Sequence, residues 1–169
     1  MGSYVSGVGS CILGLVVSLL HLSPPYAIQR IVDGTWWWFP QLEPVSHTLI
    51  LYNSVVGAAT FALGVVGIFA LGYRAGAELE FSADARRLAL VVGLGSVIGY
   101  ALPVIAVVVL SVVDGGTALG GVRMSLSLSL LQVTGQTIGF GIQSALIGFA
   151  GAAFAHQSAN SDRRTAVDV

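Results

Sequence analysis

Charge in this chain is confined to a few short groups, leaving four stretches, residues 1–29, 44–73, 88–113 and 124–161, without a single Asp, Glu, Lys or Arg. An α-helix rising about 1.5 Å per residue needs about 20 apolar residues to cross a hydrocarbon core of about 30 Å. Each stretch is long enough to cross once, and none comfortably holds two crossings and a turn. A spanning barrel would instead show alternating strands of about 10 residues, and a run such as VIAVVVL at 104–110 does not alternate. The expected fold is therefore all-α: a polytopic integral membrane protein, built as a four-transmembrane-helix bundle in a single domain covering residues 1–169.

Composition removes the other classes. Only 9% of the residues are charged and 55% are hydrophobic, whereas a soluble domain carries about 25% charged residues to face water. Disorder needs low hydrophobicity and high net charge, and the net charge here is −1. One cysteine excludes a disulfide framework and a multi-cysteine zinc site, and no basic face is available for nucleic acid. The first stretch lacks the basic start and the cleavage site of a signal peptide, so it reads as a span. Seven arginines without a lysine, beside abundant Ala, Val and Gly, suggest a GC-rich prokaryotic genome, with a halophilic archaeon as the compositional guess.

The expected helices are 4–22, 48–71, 88–112 and 126–155, with an outer loop at 23–47 and a short, polar, flexible cytoplasmic tail at 156–169. Pro24-Pro25 is expected to stop the first helix, since proline lacks an amide hydrogen and clashes with the preceding turn. Tyr26–Val32 then forms a short interfacial helix closed by Asp33-Gly34. Ser82 is placed to cap the third helix, Asp114-Gly115-Gly116 to end it, and Pro103 to kink it, leaving a carbonyl for Tyr100, a serine or water. His156 ends the fourth helix. The loop residues Trp36, Trp37 and Trp38 read as an interfacial anchor, because the indole ring is amphipathic. Arg74, Arg86, Arg87, Arg163 and Arg164 fall on one side of such a bundle and Arg30 and Arg123 on the other. The side richer in arginine faces the cytoplasm, so both termini are expected there, in a multi-pass protein of the plasma membrane.

Helices in lipid associate through close backbone approach and interhelical hydrogen bonds, so small and polar stripes mark the contact faces. Each expected span has one, and all are expected to turn inward. Gly57, Gly64, Gly95, Gly99, Gly135 and Gly139 are the expected packing glycines. Gln132, Gln136 and Gln143 form the most informative stripe, because each amide brings two donors and an acceptor that hydrocarbon cannot satisfy. With Asn53, Thr60, Ser96 and Tyr100 they make either interhelical contacts or a neutral polar lining.

No Asp, Glu or Arg lies inside the expected spans except near their ends, which argues against proton-coupled transporters, pumps and voltage sensors. No phosphate-binding loop or intramembrane-protease constellation is present, so catalysis is not expected. His21 and His47, near the outer face, are the only candidates for haem b ligands as in small cytochrome b subunits; otherwise neither cofactor nor metal is expected. Two functions remain. The first is a non-catalytic subunit of a larger transport or respiratory assembly, partnered by another membrane protein or by copies of itself. The second is an oligomeric facilitator or channel for a small polar solute, lined by the glutamines.

Overall fold

The computed structural model describes residues 2–78, 81–113 and 126–167. Four helices long and apolar enough to cross a membrane carry the expected spans, and no strand occurs among the described residues. The first helix is Gly2–Val32 and the third is Phe81–Val113. The second, Val45–Glu78, is interrupted by a π turn at Ala62–Gly67. The fourth is Leu126–Val167. The expected turn at Asp114-Gly115-Gly116 and the side chain of Gln132 lie outside the described residues.

Several helix ends depart from expectation. The first helix does not stop at Pro24-Pro25, and the segment expected as a separate interfacial helix is its continuation. Ser23 repairs part of the break. Prolines at 24 and 25 leave the Leu20 and His21 carbonyls without their amide partners, and the Ser23 hydroxyl donates to the first of these at 2.7 Å. The Tyr52 hydroxyl in turn donates to Ser23 Oγ at 2.6 Å, tying the repaired turn to the second helix. Ser23→Ala is expected to lower stability by about 1 kcal/mol, read as a drop in melting temperature in detergent; an unchanged midpoint would refute the repair. The helix ends where Asp33-Gly34 was expected to end it. Gly34 takes φ +66°, its amide donates to the Ile31 carbonyl, and the Thr35 amide donates to the Arg30 carbonyl at 3.0 Å, the paired bonds of a Schellman stop.

The third helix already includes Ser82, so Ser82 does not cap it. The fourth helix runs on to Val167, so His156 lies within it and the backbone expected to form a flexible tail is helical.

The helices form a ring in the order first, third, fourth, second, and among the described residues the first and fourth do not touch. The contacts also fix direction. A Cβ on Gly7 would meet Val91, and one on Gly14 would lie 2.5 Å from the Ser96 carbonyl oxygen and 3.0 Å from the Tyr100 amide. First and third helices therefore run parallel. Gly64 lies beside Phe140, Gly72 against Gly148 and Gly76 against Ala152, so second and fourth are parallel too. Gly93 against Ala145 and Gly141 against Val97 make third and fourth antiparallel.

Backbone contact is what these small residues permit. A Cβ on Gly99 would run into the Cys11 carbonyl, one on Gly95 into Ser10 Oγ, and one on Gly72 into the Gly148 carbonyl. Around them lie two apolar clusters, Ile68, Ala75, Leu88, Val92 and Ala152, and Val17, Tyr100 and Val104. A third, Ala27, Ile31 and Tyr52 with Trp36 and Phe39, closes the end of the bundle that carries the 33–44 loop, called here the tryptophan end. Thr48 pins that loop: its Oγ1 accepts from the Leu42 amide at 2.7 Å and donates to the Leu42 carbonyl at 3.2 Å.

The π turn divides the second helix. Beyond it, Ile68–Glu78 packs mainly along the fourth helix; before it, among the described helices, Val45–Phe61 touches the first helix and the π turn. A π turn inserts extra backbone and re-aims the helix face. Here it coincides with Gly64 and Gly67, beside Phe140 and Leu13.

Candidate functional site

Two groups of polar side chains result, one inside the bundle and one on its surface. The inner one begins on the first helix, where Ser10, Gly14, Val17 and His21 share a face. Ser10, Gly14 and Val17 are buried against the third helix. One turn further, His21 Nδ1 and the Tyr100 hydroxyl share a 2.8 Å hydrogen bond, with the rings edge to face at 5.7 Å. The other side of Tyr100 stacks on Phe140 at 5.2 Å. One aromatic side chain thus links the first, third and fourth helices. Pro103 lies in the third helix as expected, and the carbonyl its missing amide leaves over belongs to Gly99. The Tyr100 hydroxyl is bonded to His21.

The polar residues expected to act together are divided. Ser96 and Tyr100 are buried, and Thr60 is half-buried. The hydroxyls of Ser96 and Thr60, like those of Ser18, Thr137 and Ser144, are buried without a hydrogen-bond partner among the described residues. Asn53, Gln136 and Gln143 are exposed. Of the four stripes expected to turn inward, those of the first and third helices do, that of the second does only from Thr60 onward, and the glutamine stripe of the fourth does not. The fourth helix packs through Gly141, Ser144, Gly148, Gly151 and Ala152, and Gln136 and Gln143 point away from the other helices. Of the expected packing glycines, Gly64, Gly95 and Gly99 lie against neighbours, whereas a Cβ on Gly57, Gly135 or Gly139 would meet nothing within 4 Å. Within the chain those three pack against nothing, because the faces that carry them are outside the ring.

The outer group is thus a band of Gln136, Gly139 and Gln143 on the fourth helix, with Asn53 and Gly57 exposed on the second. The band is uncharged. It offers hydrogen-bond donors and acceptors, but no proton donor or nucleophile matched to catalysis.

His21 and His47 are not brought together. Both are exposed, His21 bonded to Tyr100 and His47 at the start of the second helix. No group of three His, Cys, Asp or Glu side chains among the described residues is close enough to hold a metal ion. The tryptophans divide as well. Trp36 stacks on Trp38, Phe39 and Tyr52, half-buried over the helix ends, while Trp37 is 90% exposed and Trp38 61% exposed.

Sequence reasoning missed the His21–Tyr100 pair. The available signal was register: His21 continues the face of Ser10 and Gly14, and Tyr100 lies one turn beyond Ser96. No known protein family, curated protein or solved structure matches the chain.

Proposed function

We propose that this chain is a non-catalytic, multi-pass membrane subunit that works by assembling laterally with other membrane helices. The observation supporting it is the exposed amide band. Gln136 and Gln143 stand on the outer surface of a bundle whose own helices are joined by small residues, and an amide facing hydrocarbon without a partner costs several kcal/mol. A neighbouring helix relieves that penalty and lipid tails do not. The arrangement of arginines supports an orientation with both termini in the cytoplasm. Arg74, Arg86 and Arg87 lie at the end opposite the tryptophans, and the fourth helix, parallel to the second, carries Arg163 and Arg164 toward the same end.

Mild solubilisation of native membranes tests the reading. The chain is expected to migrate in a stoichiometric complex, and a monomer at native concentration would overturn it.

The same band favours a second reading, an oligomeric facilitator whose neutral path lies between copies. Replacing Gln136 with leucine separates the two. Loss of assembly supports adhesion by the amides, and loss of solute flux in liposomes with the assembly intact supports a lining.

A further inference from the structure

The outer face of the fourth helix carries more than amides. Gln136, Gly139, Gln143, Leu146 and Ala150 follow one another at steps of three, four, three and four, and all five are exposed. That is the 3.5-residue repeat of a left-handed helix pair, and it lies on the side away from the third helix. Gly139 at its centre has nothing within 4 Å, so a partner backbone can approach there. Resting on the reading of the chain as a membrane subunit, we propose that this face docks on the same face of a second copy, the two fourth helices running parallel about a two-fold axis.

The choice of a second copy follows from the chemistry of the band. In a two-fold contact each residue on the axis meets its own counterpart. Glutamine is the residue for which that works, since its amide is donor and acceptor at once. A like-charged pair would repel, and a hydroxyl pair would leave a lone pair or a proton over. Two copies inserted the same way also bring Gln136 to Gln136 and Gln143 to Gln143 at equal depth. An unrelated partner needs matching polar groups placed independently at both levels.

Oxidative cross-linking in membranes tests this, using full-length chains in a Cys11→Ala background, which removes the one native cysteine. Cysteine is placed singly at Gln136, Gly139 or Gln143, and as controls at Ile138 and Leu94, which are 52% and 60% exposed on other faces. None of the test positions touches the chain's own core, so each variant is expected to fold. The expected result is at least about tenfold more covalent dimer, of twice the chain mass, at the three band positions than at the controls. In vesicles, Gln136→Leu with Gln143→Leu is expected to weaken dimerisation about fiftyfold, the loss of roughly four amide bonds of average interhelical strength. Equal yields at band and control positions would overturn the docking face, and unchanged affinity of the double variant would overturn the amide pairing. An adduct of another mass, confined to the band, would overturn the second copy while sustaining the subunit reading. No adduct together with a monomeric native protein would overturn both.

Discussion

Gly72→Ala and Gly99→Ala are each expected to destabilise the folded chain by about 3 kcal/mol or more, the upper end of what overpacking does. In a chain of this size that lowers the melting temperature by roughly 10 °C. The added methyl has no side chain to push aside: at Gly99 it meets the Cys11 carbonyl, and at Gly72 the Gly148 carbonyl. Whole helices must separate to admit it, and every other contact along the pair loosens with them. Gly57→Ala and Gly135→Ala are the contrast. Nothing lies within 4 Å of either added methyl, and alanine favours the helix by up to about 1 kcal/mol over glycine, so these two are expected to hold or slightly raise the midpoint. Thermal unfolding of the four purified variants in one detergent reads the difference, and a uniform response would refute the assigned contacts.

Tyr100→Ala carries the second large effect. The ring is 3% exposed and lies between His21 and Phe140, in the cluster with Val17 and Val104. Removing it withdraws the side chain shared by three helices and leaves a cavity, for which about 3–5 kcal/mol is typical of a large aromatic residue. Tyr100→Phe keeps the ring and loses only the bond to His21, worth about 0.6 kcal/mol on average between membrane helices. A wide gap between the two variants is expected in chemical or thermal unfolding. If Tyr100→Phe were as damaging as Tyr100→Ala, the hydrogen bond rather than the packing would hold the three helices together.

The positions of the helices were legible because charge is so costly in hydrocarbon that its absence outlines each span. The ends were less so. Pro24-Pro25 carries a strong stop signal, and whether it stops a helix depends on whether another donor reaches the stranded carbonyl; the hydroxyl of Ser23 is adjacent in sequence, but its geometry is not. The fourth helix shows a deeper ambiguity. Gly139 and Gly141 are two residues apart, hence on opposite sides of an α-helix, and each belongs to a stripe of small or polar residues. Periodicity finds both stripes and cannot choose between them. The choice is made by Gly93 and Val97 of the third helix, which admit Gly141. For the same reason the inward residues of the first and third helices were recognisable singly, while the meeting of His21 with Tyr100 required the parallel pairing of those helices.

That pairing also constrains how the chain is made. Ribosomes deliver helices to the bilayer in order, and the first helix finds its closest neighbour in the third, not in the second that follows it. Until the third arrives, Ser10 and Ser18 face a provisional environment, and the first hairpin is held by its aromatic cap, the Tyr52–Ser23–Leu20 chain of hydrogen bonds, and the contacts of Gly9 with Leu71 and Leu13 with Gly67. Synthesis halted after the second helix therefore leaves an unfinished hairpin exposed to membrane quality control, and the native bundle closes only when the later hairpin docks on the waiting earlier one.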